Sequence, residues 1–202
     1  MSGEIKVLKI SPTTGTDVTM GDSGDTFTFA SGSTVDLTGV TKTGFPSGLF
    51  ASYALIADQK VKGTSSGTFT SGAWRTRDLQ TTISDTDTIV TSLTSNEFTL
   101  AAGNYLIKWH APAKYVEENQ TRLYDVTGTA AVAVGSSAFN YPNHPTYIAE
   151  GPSSGFARVT PSSPNAYRIE HYCELTHATN GFGSYTDIDV EMFMMVEIYK
   201  ES

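Results

Sequence analysis

Ser153 sits in GPSSG, Gly151 to Gly155, a formal match to the G-x-S-x-G elbow that exposes a serine hydroxyl for nucleophilic attack. That chemistry needs a strand before the serine and a helix after it, so that the strained turn lifts the hydroxyl above a parallel sheet. Pro152 and the following FARVTP predict a loop entering a β-strand instead, and no nucleophile is assigned to Ser153. His171 and Cys173 are two apart, with His177 four further on, a set that contains zinc-ligating side chains. In an extended chain Tyr167, Ile169, His171, Cys173 and Leu175 form one face, and that apolar company makes the pair core residues rather than ligands. His110 lies opposite the face made by Tyr105, Ile107, Trp109 and Ala111, and is expected at a surface or interface.

The remaining candidates are weaker. SDTDT, Ser84 to Thr88, places two carboxylates in a turn, short of the oxygen set that calcium needs. Glu117 and Glu118 are adjacent and, if extended, point to opposite sides, which excludes a paired acid and base. Asn119-Gln120-Thr121 is a glycosylation sequon, and with no leader at MSGEIKVLKI neither export nor modification is expected. With no P-loop, dinucleotide-binding glycine pattern or HExxH, the sequence predicts no catalytic residue, no metal and no cofactor.

The elements that position these residues are strands. Ser and Thr make up about a quarter of the 202 residues, only 17% are charged, and Gly at 18, Tyr at 10 and Phe at 10 supply turn and sheet formers. Ten strands are expected: Tyr53–Asp58, Trp74–Gln80, Ile89–Leu93, Glu97–Leu100, Asn104–Ala111, Thr121–Val126, Ala130–Phe139, Gly155–Val159, Tyr167–Leu175 and Asp187–Tyr199. No window shows helical periodicity. The last segment alternates: Ile188, Val190, Met192, Met194, Val196 and Ile198 form a core face, while Phe193, Met195 and Tyr199 interrupt a polar one. That second face predicts burial against a neighbouring subunit, or else beneath an adjacent loop. A net charge of -8 has the wrong sign for wrapping nucleic acid, and no apolar run is long enough for a membrane helix. The single Cys173 excludes an intrachain disulfide.

Residues 1–47 read as a separate stem or docking arm, and residues 48–202 as the head. The arm is Gly-, Ser-, Thr- and Asp-rich, with apolar pairs Phe27/Phe29 and Val35/Leu37 that need a partner surface; a disordered polar linker is the alternative.

The runs YALIADQK, GTFTSGAWRTRDL, FTLAAGNYLIKWHAPA, TRLYDVTG, YRIEHYCELT and VEMFMMVEIYK, in that order over residues 52–200, resemble the complement-type globular head, a tumour-necrosis-factor-like jelly roll. They are similar in particular to the version found at the ends of bacteriophage fibre and virion proteins, and GDSGDTFTFASGSTVDLTG resembles the stem repeats that precede such heads. The resemblance implies a homotrimer of ten-stranded antiparallel jelly rolls on a stem that contacts other virion proteins, made in a host cytoplasm and resident on a virion. The stretch from Asn140 to Asn165, with five of the eight prolines, departs from the pattern.

If successive strands reverse, the loops 59–73, 94–96, 112–120, 140–154 and 176–186 gather at one end. They carry Tyr115, Tyr141, His144, Tyr147, Phe182 and Tyr185, aromatic and imidazole groups suited to a host-surface glycan. Mutual packing of these loops is the competing expectation. A decoration protein with a structural role, a bacterial lectin-like adhesin and an unrecognised hydrolase complete the alternatives; the missing leader counts against the adhesin and the missing nucleophile against the hydrolase.

Overall fold

The computed structural model describes residues 26, 28, 29, 31–34, 50–85, 87–141 and 151–201. The chain divides into two compact units, Met1–Phe45 and Pro46–Ser202. Among the anchoring residues Phe27, Val35 and Leu37 lie outside the described residues, and Phe29 is exposed.

Unit two is an all-β jelly roll of two antiparallel sheets, with no helix among the described residues. Its strands are β1 (Phe50–Lys60), β2 (Arg75–Thr76), β3 (Thr81–Asp85), β4 (Val90–Thr94), β5 (Glu97–Leu100), β6 (Tyr105–Ala111), β7 (Glu117–Asp125), β8 (Ala130–Asn140), β9 (Ser153–Val159), β10 (Asn165–Cys173) and β11 (Glu191–Glu201). One sheet runs β3-β1-β11-β6-β9 and the other β4-β5-β10-β7-β8, with β2 on the edge of β10. Side chains from both inner faces, including Ile56, Phe98, Leu100, Ile107, Leu123, Ile169, Val196 and Ile198, make one apolar core. The expected alternation on β6 holds: Tyr105, Ile107, Trp109 and Ala111 are buried while Lys108 and His110 are exposed.

Two expected strands are corrected. Trp74–Gln80 is extended, with Arg77 and Leu79 turned inward, yet only Arg75–Thr76 joins a ladder. The segment changes sheets: the Arg77 amide donates to Ile169 O (2.9 Å) in one sheet and the Gln80 amide to Ala57 O (3.2 Å) in the other, so no single ladder can continue. The edge strand Thr81–Asp85, too poor in apolar residues to signal itself, is the addition.

The last strand begins at Glu191, and its expected faces are wrong at its start. Asp58 pairs with Met194 and Gln59 with Met192, a register shift that leaves Phe193 as the extra residue of a β-bulge. The bulge breaks the alternation, so Phe193 and Met194 are both buried, whereas Ile188, Val190 and Met192 are exposed. Phe193 is therefore core rather than part of an exposed odd face.

Candidate functional site

Strand pairing fixes which connections share an end. Lys60 lies opposite Glu191, Ala111 opposite Ser153, Glu117 opposite Asn140 and Cys173 opposite Asn119. The connections 61–74, 112–116, 141–152 and 174–190 therefore emerge at the end of the sandwich opposite the one where Phe50 starts β1. Thr94 faces Glu97 across a two-residue hairpin in which Ser95 and Asn96 both have φ near +60°, as a type I′ turn requires.

The loops at this end have a core of their own. Phe69, Ala113, Val116 and Cys173 are buried together, and Phe182 packs on them with its ring stacked on Phe69 at 4.3 Å. Bridges between Gly67 and Asn180 and between Phe69 and His177 tie the long connection after β1 to the one after β10. Arg77 holds the cluster to the main sandwich. It is 1% exposed; Nη1 donates to Pro112 O (3.0 Å), Nη2 to Phe182 O (3.1 Å) and Phe193 O (2.8 Å), and the guanidinium lies 4.4 Å from the Phe182 ring centroid. Burial brings its pKa down to about 10, opposed by the charges of Asp58 and Asp78, so Arg77 remains a cation at neutral pH.

Each candidate for chemistry has a structural place here. Ser153 opens β9 fully buried, not in a loop. Its Oγ donates to Ser136 O (2.7 Å) and accepts from the Thr121 amide (2.9 Å); the Thr121 hydroxyl lies 2.8 Å from it and accepts from Trp109 Nε1 (2.7 Å). The chain joins β6 and β9 of one sheet to β7 and β8 of the other. Gly155 makes room for it, since a Cβ there would lie 2.1 Å from Trp109 Cζ2. His171 is fully buried, with Nε2 2.9 Å from Asn119 Oδ1 and Nδ1 3.5 Å from Arg77 Nη1, an arrangement that suits a neutral ring. Burial, aided by Arg77, holds its pKa well below the usual value. Cys173 is buried, and burial pushes its thiol up to about 12, so no thiolate forms at neutral pH. No cluster among the described residues has the makings of a metal site. Asp85, the described carboxylate of β3, receives the amides of Ile89 (2.8 Å) and Val90 (3.0 Å) and so caps its own turn.

The aromatic residues assigned to recognition divide. Tyr141 (57% exposed) and Tyr185 (43%) lie at the surface, Tyr141 edge-on to Phe139. Phe182 is packed in the loop core, and Tyr115 is half-buried, edge-on to His177 at 5.1 Å and beneath Lys114. His144 and Tyr147 lie outside the described residues. Glu117 has φ +59°, and its carboxyl interacts with those of Glu174 and Glu118. Partial desolvation first, then Glu174 and Glu118, hold the Glu117 carboxyl above its ordinary value.

On the outer face of the first sheet, Met195 is 38% exposed beside His110, whose Nδ1 is 2.9 Å from Ser154 Oγ. Tyr199 is half-buried between Phe50 (4.9 Å) and Tyr53 (5.0 Å) and donates to Glu197 Oε2 (2.8 Å), a bond that pushes its pKa up to about 12. Phe156, 74% exposed, continues this face on β9.

No family model matches the chain, and no curated protein matches it. Solved structures do. The globular domain of zebrafish complement 1qA protein is similar at 14% identity, with a TM-score of 0.43 over 73% of this chain and 95% of that one. Murine APRIL at pH 8.0 is similar at 8% identity, TM-score 0.44, over 74% of this chain and 98% of that one. APRIL at pH 5.0 is similar at 6% identity, TM-score 0.42, over 73% and 98%.

Proposed function

We propose that the chain is a non-enzymatic attachment head, a homotrimer borne on a virion appendage, anchored through residues 1–47 and contacting a host-surface glycan at its loop end. The carrying observation is the polarity of the head: the chain enters β1 at one end, and the long connections, with the exposed Tyr141 and Tyr185, gather at the other. Self-association is supported by the outer face of the first sheet, where the exposed Phe156 and Met195 and the half-buried Leu106, Tyr53, Leu55 and Tyr199 lie among Lys108, His110, Glu197 and Arg158. Trimerisation brings three loop ends together, and avidity of ~10²-fold or more makes weak sugar sites useful. The virion setting rests on the sequence resemblance of residues 52–200.

A decoration role is the second reading, favoured by Phe182 and Tyr115, which serve the loop core instead of facing outward. The test is adsorption to host cells alongside particle assembly. Tyr141→Ala/Tyr185→Ala is expected to lose adsorption and keep assembly; unchanged adsorption overturns attachment and leaves decoration. Met195→Asp/Phe156→Asp is expected to dissociate the trimer in light scattering, and a fully trimeric variant refutes that interface.

A further inference from the structure

The second sheet carries a groove on its outer face beside the loop end, about 590 Å³ in volume, within the range of small-ligand sites. Cross-strand register builds it. Tyr172 of β10 lies opposite Gln120 of β7, which lies opposite Ser137 of β8. One row along, Glu118 pairs with Phe139, and the Glu174 amide donates to Glu118 O (2.9 Å). Aromatic groups thus stand at diagonal corners over a polar floor. Each is braced from outside the groove: Trp74 lies 5.7 Å from Tyr172, itself under the Arg122 guanidinium at 4.2 Å, and Tyr141 lies edge-on to Phe139 at 5.0 Å. Tyr172 is 39% and Phe139 51% exposed, so both present ring surface to a ligand.

We propose that this groove binds a neutral oligosaccharide, a ring lying over β7 with its apolar faces against Tyr172 and Phe139 and its hydroxyls donating to Glu118, Glu174 and Gln120. The inference rests on the attachment reading and relocates its ligand from the loops to the sheet. Two observations select this ligand. Tyr172 and Phe139 stand two strand spacings apart across β7 and one row apart along it, a diagonal of about 12 Å that leaves room for a sugar ring between the aromatic groups. The lining holds two carboxylates and no Lys or Arg, so an acidic sugar would meet uncompensated like charge while hydroxyl donors find acceptors. The Gln120 amide is fixed by donation to Gly135 O (3.0 Å) and Ser137 Oγ (3.4 Å), which commits its nitrogen and keeps its oxygen for a ligand hydroxyl.

The test titrates the full chain with maltotriose, the N-acetylglucosamine trimer and a β-1,3-glucan trimer, with trigalacturonic acid as the acidic control, by calorimetry and saturation-transfer NMR. At least one neutral trisaccharide is expected to bind with a millimolar or better Kd and the acidic one at least tenfold more weakly. Tyr172→Ala should weaken the neutral ligand about tenfold or more. Glu118→Gln/Glu174→Gln, which preserves shape, should erase the discrimination against trigalacturonic acid and so reports even if Tyr172→Ala folds poorly. The inference is overturned if no neutral trisaccharide binds at ~10 mM, or if the carboxamide variant discriminates as the wild type does. Host-cell adsorption separates this from the attachment reading. Adsorption lost in Tyr141→Ala/Tyr185→Ala but kept in Tyr172→Ala sinks the groove alone; wild-type protein that binds trisaccharide yet adsorbs to no host cell supports the groove and sinks attachment.

Discussion

Replacing Ser153 by Ala separates a structural serine from a nucleophile. In the wild type its hydroxyl accepts the buried Thr121 amide at 2.9 Å and donates to Ser136 O at 2.7 Å, at the seam where β9 meets β7 and β8. Alanine removes both bonds with almost no change in volume. The Thr121 amide has no route to water, and an orphaned buried donor costs about 1–3 kcal/mol. The Ser136 carbonyl is only partly buried and costs less, and the Thr121 hydroxyl loses its contact with Ser153 Oγ while keeping the Trp109 indole bond. The net loss is then about 2–3 kcal/mol. With a urea m-value of roughly 2 kcal/mol/M, the unfolding midpoint falls by about 1–1.5 M with the slope unchanged. The assay is equilibrium urea unfolding followed by Trp fluorescence, at fixed protein concentration because self-association adds to apparent stability. A midpoint within ~0.2 M of wild type would refute the argument, and one accompanied by loss of an esterase activity would restore Ser153 as a nucleophile.

Arg77→Met should lower stability by about 3 kcal/mol, because three carbonyls lose a charged donor while the desolvation cost of the guanidinium is relieved. Amide exchange should rise first around Phe182 and Gly183; a variant with wild-type exchange there would show that the loop core stands without Arg77. His171, held neutral by burial, takes up no proton in the folded state as pH falls, whereas the unfolded chain does so near its ordinary value of 6.5. Stability is therefore full above that pH and declines below it, by up to about 1.4 kcal/mol per pH unit for one proton. His171→Leu should flatten the fall in urea midpoint between pH 7 and pH 5, and an unchanged fall would assign it to other groups. Gly155→Ala should cost about 1–3 kcal/mol and shift Trp emission, since its Cβ would lie 2.1 Å from the Trp109 ring; a neutral outcome would mean β9 can move away freely.

What was legible from residues alone tracks how local the signal is. The buried row Tyr105, Ile107, Trp109 and Ala111 reads correctly because its strand keeps one register throughout. The row Met192, Phe193, Met194 does not, because a bulge defined by pairing with β1, more than 130 residues earlier in the chain, decides which of three apolar side chains turn inward. Trp74–Gln80 alternates as a strand should, yet it crosses between sheets, and alternation records burial rather than ladder membership. Phe182 and Tyr115 sit among glycine, proline and lysine, the composition of an exposed loop, while the partners that bury them, Phe69 and His177, come from distant segments. The groove is invisible in the sequence for the same reason: Gln120, Ser137 and Tyr172 are neighbours only across strands.

Among the described residues, three connections at the loop end are set before any partner arrives. Glu191 accepts the amides of Gly63 (3.0 Å), Thr186 (2.9 Å) and Asp187 (2.9 Å), bonds that lower its pKa, led by the one from Thr186. One carboxylate at the start of β11 thereby fastens the connection after β1 to the connection before β11. Arg77 does the same from beneath, reaching Pro112 after β6 and Phe182 before β11. Between them a buried cation and a carboxylate order three of the connections at this end, and Phe69 and Phe182 fill the space they enclose. Ordering loops at the moment of binding costs roughly 0.5–1.5 kcal/mol for each immobilised side chain, and here that cost is met in folding. A shallow sugar site, whose few hydrogen bonds and ring contacts leave little surplus, depends on such preorganisation. The braced pairs Trp74/Tyr172 and Phe139/Tyr141 extend the same ordering onto the neighbouring sheet face, where the proposed groove would meet a sugar ring with aromatic surface already held in place.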